Sequence, residues 1–204
     1  PEEVKNDRLW IRDTTGKGVI FPEGYNRIVG AEEDENVRFG QYAFKLGYNF
    51  EKTDLTVVAA ADFGFSGDLL VNTTQPTRIG MWIKVPTACA GDKSVLKAVL
   101  KGGAFEANLD TAYMKFNDDG SISYVDGKQL NGTAAYVQYY SYNADGTVSG
   151  STLSDWAGKG WTWVEADISA FQMPVDVCRG YTVRVTSPQN CTRRTGYLYI
   201  DNVQ

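Results

Sequence analysis

Hydrophobic and polar positions alternate along most of this chain with a period of two. From Tyr42 to Phe50 the even positions are Tyr42, Phe44, Leu46, Tyr48 and Phe50, and the odd ones are Ala43, Lys45, Gly47 and Asn49. One face is apolar and the other nearly polar, as in a half-buried antiparallel strand. The same pattern sets Ile79, Met81, Ile83 and Val85 against Gly80, Trp82 and Lys84, and sets Leu96, Ala98 and Leu100 against Lys97 and Lys101. Val164, Ala166 and Ile168 oppose Trp163, Glu165 and Asp167; Tyr181, Val183 and Val185 oppose Thr182, Arg184 and Thr186; Tyr197 to Val203 is the last strand. Asn117-Asp-Asp-Gly120, Asp126-Gly127, Asn131-Gly132 and Asp145-Gly146 supply turn chemistry between the runs. No stretch carries a 3.6-residue apolar stripe. The pattern predicts an all-β chain, a two-sheet β-sandwich or jelly roll, with strands at roughly ten-residue spacing. Residues 1–204 read as a single domain with an expanded region at about 102–158, and the small apolar segment 53–67 has room for a strand plus a turn.

Composition narrows the chemistry. Histidine is absent, which removes Ser-His-Asp and Cys-His nucleophiles and His-ligated zinc. The net charge of −5 with scattered Lys and Arg opposes binding to a nucleic acid backbone. No run of 18 apolar residues is present, so no membrane insertion is expected. PEEVKNDRLW has no apolar signal-peptide region and no starting Met, and the chain ends inside a strand pattern. It therefore reads as a domain cut from a larger multidomain protein. The three cysteines, Cys89, Cys178 and Cys191, form no CxxC, so a redox or zinc motif is not expected. They leave open one disulfide plus a free thiol, or three thiols.

Four segments in order carry a resemblance: VRFGQYAFKLGYNF (37–50), QPTRIGMWIKV (75–85), GWTWVEADIS (160–169) and GYLYIDNV (196–203). Together they resemble the galactose-binding-like jelly rolls of bacterial extracellular carbohydrate-active proteins, and most of all the module that accompanies phosphodiester glycosidase domains. The resemblance implies a galactose-binding-domain-like jelly roll, an extracellular or cell-surface location, and neighbouring domains in the same polypeptide.

In jelly-roll order, strands B to I form sheets B-I-D-G and C-H-E-F. Strand B falls within 8–21, C is 42–50, D is 79–85, E is 95–101, F is 134–142, G is 161–168, H is 181–186 and I is 197–203. Carbohydrate modules of this kind often bind on the outer C-H-E-F face. There this order places Lys45 and Asn49 on C, Lys97 and Lys101 on E, Thr182 and Arg184 on H, and either Tyr136, Gln138, Tyr140 and Tyr142 or the set Val137, Tyr139 and Ser141 on F. Aromatic rings suit the C–H faces of sugars, and Gln, Asn and Arg suit their hydroxyls. The cations Lys45, Lys97 and Arg184 invite an acidic glycan; the bland alternative is an ordinary solvated face. Trp156, in a small-residue loop, either clamps a sugar or plugs the sandwich end.

On the other sheet Trp82, Trp163 and Tyr199 share the outer face. Cover by the N-terminal arm (Leu9, Trp10, Ile11), contact with another domain, and a sugar platform are the three readings. Glu165 and Asp167 lie on one strand face, but the second Glu of glucanase-type sandwich hydrolases is missing from this strand, so no catalysis is expected. Asp201 matches an acidic position that often ligates structural Ca²⁺ in this fold family, with Glu32, Glu33, Asp34, Glu35 and Asn36 nearby in sequence; the alternative is an Asp bonded to backbone. The strand order puts Cys89 and Cys191 at one end of the sandwich and Cys178 about 20 Å away at the other. A Cys89–Cys191 disulfide follows, closing a loop of about 100 residues and contributing ~4–5 kcal/mol in the chain-entropy model. The sequons at Asn72, Asn131 and Asn190 matter only in a eukaryotic secretory pathway.

These readings converge on a non-catalytic carbohydrate-binding-like module whose partner is a glycan. The alternative is a structural domain that packs against a catalytic or adhesive neighbour and binds no sugar.

Overall fold

In a computed structural model of the chain, residues 9–13, 19–20, 27–30, 36–51, 56, 58–66, 77–101, 113–116, 122–125, 134–169 and 180–204 are described. The strands, in order, are β1 (Leu9–Asp13), β2 (Val19–Ile20), β3 (Arg27–Gly30), β4 (Tyr42–Asn49), β5 (Ala59–Ser66), β6 (Arg78–Lys84), β7 (Val95–Lys101), β8 (Tyr113–Phe116), β9 (Ile122–Val125), β10 (Ala134–Gln138), β11 (Ser141–Tyr142), β12 (Val148–Gly150), β13 (Trp161–Asp167), β14 (Gly180–Ser187) and β15 (Thr195–Asp201). A 3₁₀ turn, Thr87–Cys89, and one short helix, α1 (Leu153–Trp156), interrupt them.

Two antiparallel sheets face each other. The front sheet has the order β1-β5-β14-β7-β10, and the back sheet β13-β6-β15-β4-β2, with β3 also on β4. The alternating positions explain the packing between them. Phe44, Leu46, Tyr48, Met81, Ile83, Val164, Ala166, Leu198 and Ile200 from the back sheet meet Leu96, Ala98, Val183 and Val185 from the front sheet in one buried core. The all-β sandwich expected from the periodicity is the observed fold.

Strand order differs from the expected one in the placement of C and of the N-terminal strands and in the addition of β5. The I-D-G and H-E-F neighbours stand, as β15-β6-β13 and β14-β7-β10. Strand C does not join H. Instead β4 pairs with β15 from Thr195↔Asn49 to Ile200↔Phe44, and β5 takes the place beside β14. Two strands fall within the range expected for B: β1 pairs with β5 in the front sheet, from Leu9↔Phe65 to Asp13↔Ala61, and β2 pairs with β4 in the back sheet. Alternation dictates which side chains face the core but not which strand lies alongside, so β4 satisfies its pattern in either sheet.

One end of the sandwich is closed by three loops that share hydrogen bonds. Asp92 is fully buried; its carboxylate accepts from Tyr48 Oη at 2.6 Å and from Ser94 N–H at 2.8 Å, and its carbonyl accepts from Ser154 N–H at 2.8 Å. Burial first, then the Asp92 charge, pushes the Tyr48 hydroxyl well above the usual tyrosine range. Gly196 makes room here: a Cβ at this position would lie 2.6 Å from Tyr48 Oη and 2.7 Å from Cys89 Sγ. Helix α1 begins with a capping box in which Thr152 Oγ1 accepts from Asp155 N–H and Asp155 Oδ2 accepts from Thr152 N–H. Burial pushes the Asp155 carboxyl up, but the donors from Ser151 and Thr152 outweigh it and hold the group below the usual carboxylate range.

Candidate functional site

The antiparallel register aligns residues of the front sheet in rows. Because Leu96, Ala98, Val183 and Val185 face the core, Lys97 and Arg184 lie on the outer face. Val137 packs against the core, which settles the parity of β10 at Gln138 and puts that residue at an outer position. One row runs Gln138↔Lys97↔Arg184↔Asp62↔Arg12 across all five strands, and the next runs Tyr136↔Val99↔Thr182↔Gly64↔Trp10. Lys97, Arg184 and Gln138 are half-buried. Gln138 Nε2 donates to the carbonyl of Ser151 at 3.0 Å, so its amide is oriented by the chain following β12. The first row is thus a line of polar, hydrogen-bonding residue types.

Several expected members are elsewhere. Lys45 and Asn49 follow β4 into the back sheet and are not beside Lys97 and Arg184. Lys45 Nζ sits 5.1 Å and 5.2 Å from the ring centroids of Tyr197 and Tyr199, in cation–π range, while Asn49 Oδ1 accepts from Glu51 N–H at 3.1 Å. Tyr140 also leaves the front sheet. β10 stops at Gln138, and Tyr140 exchanges two 2.9 Å backbone hydrogen bonds with Glu165 at the edge of the back sheet. The expected F strand therefore crosses from one sheet to the other.

Trp156 is not a sugar clamp. Its side chain is 1% exposed and its Nε1 donates to Ser141 Oγ at 2.9 Å. Leu153, one α-helical turn earlier, is buried with it, so α1 serves as a plug. The expected Cys89–Cys191 bridge is absent: both are free, buried thiols. Their loops do meet, since Lys93 N–H donates to Cys191 Sγ at 3.2 Å. Each thiol is turned to its own partner, Cys89 to the Tyr197 carbonyl at 3.5 Å and Cys191 to the Arg193 carbonyl at 2.7 Å. Burial is the main cause that pushes the Cys89 thiol up. Cys178 lies outside the described residues.

Asp201 is 1% exposed, and its Oδ2 accepts from the backbone N–H groups of Arg38 and Phe39 at 2.8 and 2.9 Å. Its Oδ1 is buried without a hydrogen-bond partner. That oxygen has the chemistry of a Ca²⁺ ligand, but Ca²⁺ takes six to eight oxygens, and no cluster of three acidic or other metal-binding side chains occurs among the described residues. The acidic run at 32–35 lies outside them. The described donors alone do not make a calcium site; they make a latch that ties the segment before β4 to the last strand.

That latch also answers what lies over Trp82 in the aromatic stripe. The N-terminal arm does not, because β1 is in the front sheet. Arg38 stacks over Trp82 at 3.5 Å from the ring centroid, and Phe39 meets Trp82 edge-on at 6.4 Å. The carboxylates Glu165 and Asp167 have structural partners: Glu165 bonds Trp163 Nε1 and Arg78, and Asp167 Oδ1 accepts from Ser169 N–H at 2.9 Å.

Sequence reasoning overlooked that the segment 9–13 pairs with β5 in the front sheet. The apolar alternation of 59–66 was the available signal for β5; nothing local in 9–13 names its partner.

No protein-family profile matches the sequence, and no curated protein matches it. Solved structures of similar architecture include the following three. The first, concerned with the promiscuous specificity of carbohydrate-binding modules of the β-sandwich superfamily, aligns over 100% of this chain at 11% identity and a TM-score of 0.46; the chain spans 58% of its length. The second is the K2 cleaved adhesin domain of Lys-gingipain, with 11% identity, a TM-score of 0.38 and coverage of 98% and 91% of the two chains. The third is the family 11 carbohydrate-binding module of Clostridium thermocellum in complex with a β-1,3-1,4-mixed-linked tetrasaccharide, with 10% identity, a TM-score of 0.38 and coverage of 96% and 86%. No helix among the described residues is long and apolar enough to cross a membrane.

Proposed function

We propose that this chain is a non-catalytic glycan-binding module and that the outer face of the front sheet is its binding surface. The observation that carries the reading is the register row Gln138↔Lys97↔Arg184, with Tyr136 two positions from Gln138 on the same edge strand. Forked donors in a line can follow successive sugar hydroxyls, and a tyrosine on the same strand is of the residue type that suits sugar C–H faces. An acidic group on the glycan would meet Lys97 and Arg184. The strand motifs that resemble modules of phosphodiester glycosidase proteins support an extracellular or surface setting beside a catalytic or adhesive neighbour.

A glycan array probed with the 204-residue chain tests this. Binding should appear on a restricted set of glycans and fall at least about tenfold in the double variant Lys97→Ala/Arg184→Ala, equivalent to a loss of about 1.4 kcal/mol. An acidic ligand should also lose affinity between low and physiological salt. Binding that survives the double variant unchanged would remove the front face as the site.

A further inference from the structure

The back sheet carries a second feature that the front-face reading does not use. Trp163 lies directly on Gly80: a Cβ there would fall 2.1 Å from Trp163 Cζ2 and 2.7 Å from Cη2. The register pairs Glu165 with Gly80 and Trp163 with Trp82, so the indole leans along its own strand and seats itself on the one position of β6 with no side chain. Its orientation is then locked by a two-link brace. Trp163 Nε1 donates to Glu165 Oε1 at 2.8 Å, and Arg78 donates to Glu165 Oε2 at 2.6 Å. The Trp82 ring centroid is 5.5 Å away, tilted by 57°, and is itself held by Arg38. Arg78 is 60% exposed and Glu165 22% exposed, so the braced pair borders solvent beside the ring. Tyr142, 39% exposed, lies on β11; burial pushes its hydroxyl up, and the charges of Arg78, Asp167 and Glu165 also act on it.

We infer that this is a second carbohydrate site, in which one pyranose ring stacks on Trp163 while Arg78 and Glu165 bond its hydroxyls. It assumes the ligand class of the reading above but none of its residues. A ring immobilised before binding loses no rotamer entropy on binding, and second-layer hydrogen bonds that fix a contact residue are what a preorganised site requires. The brace also discriminates among occupants. A neighbouring domain or a second copy laid over the rings would strip water from the Arg78–Glu165 pair, a cost that a hydrophobic contact does not return. A sugar hydroxyl replaces that water with hydrogen bonds of its own. Two sites on opposite faces would let one module bridge two glycan chains or gain avidity on one surface.

The test uses the 204-residue chain labelled with ¹⁵N, whose five tryptophans provide separate indole Nε1 signals. Cello-, xylo- and β-1,3-1,4-mixed-linked tetrasaccharides serve as probes, titrated into the native chain, Trp163→Ala, Arg78→Ala and Lys97→Ala/Arg184→Ala. The expected result is a saturable shift of the Trp163 Nε1 signal by at least one probe. That shift persists in the front-face double variant and weakens about tenfold in Arg78→Ala, which removes only an exposed side chain and keeps the fold. Trp163→Ala should abolish the back-face event without altering front-face binding. A probe that binds through Lys97 and Arg184 while leaving Trp163 Nε1 unmoved overturns this inference and spares the front-face reading. A Trp163 shift with no effect of the double variant does the reverse, and no binding by any probe rejects both. Concentration-dependent self-association that is lost in Trp163→Ala would assign the face to a second copy and likewise overturn it.

Discussion

At the scale of single residues, the end of the sandwich is decided by one indole. Trp156 brings a large apolar volume and a single N–H donor, and both are used inside the protein. Replacing it with alanine removes the plug and leaves Ser141 Oγ without that donor. Trp156→Ala should destabilise the domain by about 3–5 kcal/mol, read as a lower urea midpoint with an unchanged glycan profile in whatever fraction remains folded. A residue that bound sugar would show the opposite split. The thiols illustrate the same point from another side. Cys89 and Cys191 are near enough for their loops to touch, yet each sulfur is directed at a carbonyl, and neither needs the other.

At the scale of elements, the last strand organises the back sheet. β15 pairs with β6 on one side and β4 on the other, and Asp201 at its end holds the segment that leads into β4. Asp201→Ala should leave two backbone N–H groups without their acceptor and cost roughly 1–3 kcal/mol. Its second effect should be local. Arg38 and Phe39 would lose their anchor over Trp82, so the tryptophan emission of the folded variant should move to longer wavelength. Asp201→Asn keeps an acceptor oxygen and should fall between the two. If emission and stability in Asp201→Ala both match the native chain, the latch has no role.

At the scale of the whole molecule, three loops close on the buried Asp92, and Tyr48 joins that group to β4. The folded-state pKa of Tyr48 is raised by burial and by Asp92, which fixes the direction of the alkaline response. A group held protonated by the fold contributes stability that is complete below its unfolded pKa, about 10, and is lost as pH rises toward the folded value. Stability should therefore fall steeply above about pH 10. Tyr48→Phe, starting from a lower plateau because Asp92 loses a donor, should fall less steeply. Parallel pH–stability curves for the two proteins would show that Tyr48 does not couple ionisation to folding.

The all-β class, the core faces of β4, β6, β7, β13, β14 and β15, and the outward placement of Lys97, Arg184 and Trp163 were all determined by the sequence alone, because a period of two states which face each residue occupies. The plug reading of Trp156 and the backbone-bonded reading of Asp201 were present in the sequence only as one side of an open choice, since a loop tryptophan and a strand-end aspartate look alike whether buried or exposed. What the tertiary structure alone decided is lateral. It placed β4 beside β15, and so took Lys45 and Asn49 off the front face; it brought β1 to β5, and so set Trp10 in a row with Tyr136; it turned the chain at Tyr139 and moved Tyr140 to the other sheet. Strand partners are chosen by the packing of both sheets at once and by loop closure over long sequence separations, and no local pattern of side chains encodes that choice.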